Sequence, residues 1–354
     1  MIYRVDYLPE NKINPITGQE YDSSWIAFTL TCSVDNRAIT GMGKEGVYFI
    51  RVSRFLNDDW QLSVGDFIGY CEANALNGIL VMSESDYNDA LRKYDGHSYN
   101  ESVLRKDEAL VLIHSTTADC WKSIQHDGAL KSWNQLKRDS AEWESKPIGA
   151  QLGDLAEFSD YIMFGGGVSG EIVVSSKLSG FINMDVNAEY HTGARLYFDA
   201  KKMAEDGMLV RDGAHVKVKG SLPLEPYLMW VATWDKLGLN SPLSTPKIFA
   251  ESADERFRVI CKLFGLPCYC GHDCSKCVTY IATQTNSDDL RRQAQNFYKE
   301  TFGLDIPLEK FYCDGGRSKN VFELCKECPF KKCCIERGID ACRQCSEYPC
   351  RYFD

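Results

Sequence analysis

The sequence contains no run of about 18 apolar residues, the length a membrane-spanning helix needs. Its first residues, MIYRVDYLPENK, lack the basic start and apolar stretch of a secretory signal. The expectation is a cytoplasmic chain with no membrane contact. Basic residues are in the minority, with 40 Lys and Arg against 50 Asp and Glu and a formal net charge of −10. That balance argues against a broad non-specific grip on nucleic acid, which needs a basic surface, but leaves room for a local basic stripe. There is no long repeat and no low-complexity tract. Cysteine is scarce through most of the chain: only Cys32, Cys71 and Cys120 precede residue 261.

What is present then stands out. The other thirteen cysteines fall between Cys261 and Cys350. In a reducing compartment such a crowd points to metal ligands rather than disulfides. The shift in composition marks a domain boundary. Just before it, GLNSPLSTPK (238–247) reads as a linker rich in Gly, Ser and Pro. IFAESADERFRVICKLFG then predicts a helix that stops at Gly265 and Pro267. At 354 residues the chain is long for one core, and three parts are expected: 1–105, 106–240 and 248–354. Residues 1–105 read as a β-rich domain, with WIAFTLTCSV, GVYFIRVS, DFIGYCEA and GILVMSES as strands and SDYNDALRKYDG as a short helix. The fold class is multi-domain α+β.

The ligand candidates of the last part are Cys268, Cys270, Cys274, Cys277, Cys313, Cys325, Cys328, Cys333, Cys334, Cys342, Cys345 and Cys350. Three pairs, Cys274/Cys277, Cys325/Cys328 and Cys342/Cys345, are C-x-x-C. Such a turn lets two thiolates reach one metal, and zinc takes four ligands at tetrahedral corners. Soft sulfur favours zinc, iron–sulfur or copper(I) over magnesium or calcium. CGHDCSKCVTY (270–280) and CRQCSEYPC (342–350) resemble the opening and closing motifs of a cysteine-rich bacterial domain family of unknown function. The resemblance implies zinc and no particular activity. In CDGGRS (313–318), Gly316 stands where that family usually has a cysteine. Either Cys268 or His272 substitutes, or one metal site is absent.

ALVLIHSTTADCWKSIQHDGALKS (109–132) predicts a buried strand, a turn and an amphipathic helix ending at Gly128. The strand delivers His114, Ser115 and Thr116 at its end. Together with GARLYFDAKKMAEDGMLVRDGAHVKVKGSLPLEPYLMWV (193–231), this segment resembles the ADP-ribosyltransferase fold, most of all its RNA 2′-phosphotransferase branch. The resemblance implies a split β-sheet that clamps NAD. It implies that His114 bonds the ribose hydroxyls on the nicotinamide side, with Ser115 and Thr116 beside the cofactor. SDYIMFGG (159–166) would bring Tyr161 or Phe164 to the nicotinamide. Many transferases carry a Glu at a third position, which falls near HVKVKG (215–220). His215, Lys217 and Glu225 lie there, and Glu225 is the carboxylate among them. Two departures argue against removal of a splice-junction phosphate. Residues 1–105 do not resemble that branch's basic first domain, and FSDYIMFG lacks its Arg-x-His pattern. Gly165–Gly167 lacks the spacing of a dinucleotide or phosphate-loop fingerprint.

The expected activity is NAD-dependent transfer of ADP-ribose to a nucleic-acid or protein acceptor, with release of nicotinamide. The alternative is a catalytically silent, zinc-containing binding protein that uses the same fold to hold NAD, RNA or a protein partner.

Overall fold

The structure is a computed structural model that describes residues 1–93, 102–105, 108–140, 147–152, 154–264, 268–272, 274, 277–284, 287–318, 320–339 and 341–350. It is a multi-domain α+β protein. One compact unit comprises residues 1–229 and 233–250; the other comprises 230–232 and 251–354.

The first unit opens with a five-stranded sheet in the order β1-β5-β2-β4-β3. Its strands are β1 (Ile2–Val5), β2 (Trp25–Thr31), β3 (Ala38–Met42), β4 (Tyr48–Ser53) and β5 (Asn77–Val81). All neighbours are parallel except β3 and β4. Strand β2 alternates: Ile26 and Phe28 enter one core, Trp25 and Ala27 the other. Parallel β4 and β5 need a crossover, and α1 (Trp60–Ala73) supplies it. DFIGYCEA, expected as a strand, is the second half of this helix. Its residues are buried almost all round, so they carry no amphipathic period, and periodicity alone does not separate a buried helix from a buried strand. The expected helix near residue 85 is α2 (Glu84–Lys93), and the end of its predicted span lies outside the described residues.

The chain then forms β6 (Val111–Thr116), α3 (Ala118–Asp127), β7 (Ala129–Lys131), α4 (Trp133–Asp139), β8 (Tyr161–Met163), α5 (Ser169–Ser179) and β9 (Tyr190–His191). It continues through β10 (Ala194–Asp199), α6 (Ala200–Glu205), β11 (Leu209–Arg211), β12 (Val216–Lys219), β13 (Ser221–Pro223), β14 (Leu228–Ala232) and β15 (Leu243–Ser244). Two three-stranded sheets result, β14-β10-β6 and β11-β12-β8. They meet where β8 ends beside β6, and Gly165 N–H donates to Ile113 O at 2.9 Å. Helix α3 starts at a Thr117 cap that accepts from Cys120 N–H and ends at left-handed Gly128, where the sequence predicts its end. The supposed linker is tied down: β15 pairs with β9, and Thr192 N–H donates to Pro242 O at 2.9 Å.

The expected boundary at 105/106 is not a boundary of packing. Ile26, Phe28, Phe67 and Tyr70 share one core with Leu155, Phe158, Tyr161 and Val210. Polar ties cross the same line. Arg105 Nη2 bonds Asp66 Oδ1 at 2.7 Å, and Tyr161 OH donates to Asn74 Oδ1 at 2.8 Å. Lys217, fully buried, bonds buried Asp212 at 2.6 Å and lies over the Tyr70, Phe158 and Tyr161 rings.

Helix α7 (Pro246–Phe264), most of which belongs to the second unit, is the predicted long helix; its expected stop signals, Gly265 and Pro267, lie outside the described residues. Helices α8 (Val278–Gln284), α9 (Asp288–Phe302), α10 (Glu323–Lys326) and α11 (Pro329–Arg337) follow. Among the described residues, one apolar cluster here gathers Ala294, Phe311, Cys313 and Phe322.

Truncating one partner of a buried ion pair strands the other charge. Asp212→Ala is therefore expected to cost about 3–5 kcal/mol, read as a lower denaturant midpoint with the slope preserved. Burial alone would raise the Asp212 pKa, but Lys217 and His215 outweigh it and hold the carboxyl well below the usual range. The resulting stability is complete above the ordinary carboxylate pKa of about 3.9 and drains away as pH falls below it. Asp212→Asn should flatten that part of the acid limb in urea titrations. An unchanged limb would assign acid sensitivity to other groups.

Candidate functional site

Alternation along β6 sorts the three residues at its end. His114 and Thr116 face one side of the sheet and Ser115 the other. Strand β10 pairs antiparallel with β6, placing Leu196 opposite His114 and Arg195 opposite Ser115. Two chemically different faces follow.

On the first face the His114 ring lies 6.3 Å from the Phe164 ring, which lies 6.0 Å from that of Phe198. His114 Nδ1 is 2.9 Å from Met163 O. A carbonyl only accepts, so Nδ1 carries the proton and Nε2 keeps an acceptor lone pair in the neutral ring. Burial pulls the His114 pKa down; the Met163 bond opposes this, and the nearby Lys177 charge adds to the fall. Lys177 Nζ stands 3.5 Å from Cys120 Sγ and 5.0 Å from the Trp133 ring centroid. The half-buried imidazole therefore has an aromatic neighbour and an amine nearby.

The opposite face is closed. Ser115 Oγ donates to Glu171 Oε1 at 2.5 Å, and Tyr190 OH donates to Glu171 Oε2 at 2.6 Å. Arg195, fully buried, lies 3.4 Å from Glu171 and donates to Gly167 O at 2.9 Å. Burial raises the Glu171 pKa, while Ser115, Tyr190 and Arg195 oppose it. Ser115 is thus a brace beneath the His114 strand, and Arg195 pins the glycine loop at Gly167. Nothing in the sequence marked this network except that Arg195 lies two residues from Tyr197 on a strand. Gly193 is demanded at the rim, because a Cβ there would run into Thr116 O.

The structure brings His114 and Phe164 together but not Tyr161 or Glu225. Tyr161 is buried among Tyr70 and Lys217 on the N-terminal side. Glu225 is exposed on the turn between β13 and β14, where Leu224 N–H donates to Gly128 O at 2.8 Å. That places it at the end of α3 remote from Thr116, about 15 Å along the helix axis. His215 joins a different cluster: its Nδ1 lies 3.0 Å from Asp212 and its Nε2 3.3 Å from Thr40 Oγ1.

In the second unit, cysteines approach in pairs and small groups. Gly316 N–H donates to Cys274 Sγ at 3.3 Å, and Cys334 and Cys342 sulfurs lie 3.6 Å apart. Zinc–sulfur bonds of about 2.3 Å at tetrahedral angles set sulfurs about 3.8 Å apart, so the latter pair has nearly the right edge. Cys333, Cys334, Cys342, Cys345 and Cys350 line one cavity. Burial, together with the Cys313, Cys268, Cys277 and Cys328 thiols, pushes Cys325 up to about 12. Among the described residues, no three ligand-type side chains already form one metal cage. The donor set fits a soft metal in kind, and its sulfurs are near one another without being closed. His272 is exposed.

Residues 266–354 match a family described as "Protein of unknown function (DUF3795)". The match covers the cysteine-rich segment alone. No curated protein and no solved structure matches the chain. Among the described residues, no helix is long and apolar enough to cross a membrane.

The His114 ring is expected to remain neutral at pH 7 and to titrate below the ordinary histidine value of about 6.5. Because the folded-state pKa is depressed, its contribution to stability is present above that value and falls as the pH drops through it. Imidazole NMR titration of the protein against His114→Gln checks this. A His114 midpoint at or above the ordinary value would contradict the half-buried, Met163-bonded ring.

Proposed function

We propose that the first unit binds NAD on the His114 face and supports ADP-ribosyl transfer. The observation that carries this reading is the pairing of a neutral, tautomer-fixed His114 with the Phe164 ring. Nε2 offers an acceptor to a ribose hydroxyl, and Phe164 offers a surface to the nicotinamide. Lys177 supplies a positive charge suited to a pyrophosphate. Thr116 shares the His114 face. The resemblance of residues 109–132 and 193–231 to the ADP-ribosyltransferase fold agrees with this use of the site. Breaking the nicotinamide–ribose bond releases nicotinamide and builds positive charge on the sugar, which a carboxylate or an oriented hydroxyl would stabilise until the acceptor nucleophile attacks the same carbon.

A second reading has an observation in its favour: Tyr161 and Glu225 lie away from His114. A site that holds NAD without a carboxylate at the sugar would bind and not turn over. The acceptor, nucleic acid or protein, is identified by the label it receives. The cysteine-rich module is proposed to hold zinc through the sulfurs between Cys268 and Cys350, because its donors are soft and clustered.

Titration of NAD into the full chain tests the first reading. His114→Ala is expected to weaken binding by about 1–3 kcal/mol, one to two decades, with thermal stability retained. Phe164→Ala should weaken binding as well, whereas Tyr161→Phe should leave it unchanged, since its hydroxyl serves Asn74. Labelled NAD incubated with cell lysate, then treated with nuclease or protease, separates transfer from binding. Absence of NAD binding by the wild type would refute both readings of this site.

A further inference from the structure

The turn at residues 313–318 lacks a side chain at Gly316, and Cys268 from an earlier segment of the same chain fills the space. Gly316 carries no side chain, yet its backbone does not require glycine, because it is absent from the positive-φ residues. What a side chain there would meet is sulfur. A Cβ on Gly316 would run into Cys268 Sγ and stand 3.5 Å from both Cys268 Cβ and Cys274 Sγ. The same residue donates its N–H to Cys274 Sγ. That bond holds the Cys274 sulfur beside the turn, next to the Cys268 sulfur.

Local hydrogen bonds hold each contributor in place. Cys268 N–H donates to His272 O at 3.0 Å, and Cys277 N–H donates to Cys274 O at 3.0 Å, fixing the backbone at both segments. Cys313 N–H donates to Thr283 Oγ1 at 2.9 Å, which anchors the start of the Gly316 turn to α8. His272, the other substitute within the same segment, is exposed while Cys268 is half-buried against the turn.

We propose that Cys268 is a metal ligand, placed where a residue-316 side chain would otherwise stand, in a four-sulfur zinc site with Cys274, Cys277 and Cys313. The assignment rests on the zinc reading of the module and deepens it. It makes Gly316 and Cys268 mutually exclusive suppliers of one ligand: a thiol is tolerated at one position only when it is absent from the other.

Metal content of the purified full chain, measured by mass spectrometry per protein, tests this with four variants. Cys268→Ala is expected to lose one zinc equivalent, and His272→Ala none. Gly316→Cys alone should disturb the site, because its Cβ collides with the Cys268 sulfur. The double variant Cys268→Ala/Gly316→Cys should regain the lost equivalent. If Cys268→Ala does not fold, the double variant must recover both folding and zinc, and failure to do so overturns the assignment. Full zinc in folded Cys268→Ala overturns it while leaving the zinc reading intact. Less than one equivalent in the wild type overturns both.

Discussion

An ammonium group inside a protein costs several kcal/mol unless something replaces its water. Lys217 is given Asp212 and three rings, with its nitrogen 3.9 Å from the Tyr70 centroid, 4.2 Å from Phe158 and 4.7 Å from Tyr161. These partners come from α1, from the turn before β8, from β8 and from the β11–β12 connection. No element can leave without exposing a charge to a dry environment or a ring to water. The five-stranded sheet and the strands that follow are therefore one packing unit, although their sequences read as separate parts. Arg105 with Asp66, and Arg211 with Glu108, repeat the device: a largely or fully buried guanidinium on one segment meets a carboxylate on another.

Local rules carried much of the fold. The strand of His114, the helix capped by Thr117 and ended by Gly128, and the helix after residue 245 were legible because each has its own start, period and stop. DFIGYCEA was not, because a segment buried all round has no period left to read. The boundary at 105/106 failed for a different reason. A domain border is a statement about contacts, and contacts between Tyr48 and Phe158, or Lys217 and Tyr70, leave no trace in composition.

The site was half legible. That a strand end should present His114 followed from an apolar run ending in a polar residue. Which neighbours share its face was also available in principle. Residues 161 and 164 differ by an odd number, so a continuing strand sends them to opposite sides, and Tyr161 and Phe164 do part in this way. Ser115 falls by the same argument to the side opposite His114. The buried Glu171–Arg195–Tyr190 network lay beyond such reasoning, because it joins α5, β10 and β9 across gaps in the chain that no period spans.

The cysteine-rich unit obeys a different constraint. Among the described residues, one of its apolar clusters gathers Ala294, Phe311, Cys313 and Phe322, so a cysteine is part of the packing. Small modules commonly draw part of their folding energy from bound metal. Sulfur then has two physical roles in one place. Cys313 packs against Phe322 as a small hydrophobe, and Cys274 accepts a backbone N–H as an anion would. A thiol that is both packed and ligating cannot be moved without cost to folding and binding alike. For that reason a ligand lost from one turn is most readily supplied by a neighbour that already fills the same space, as Cys268 does beside Gly316.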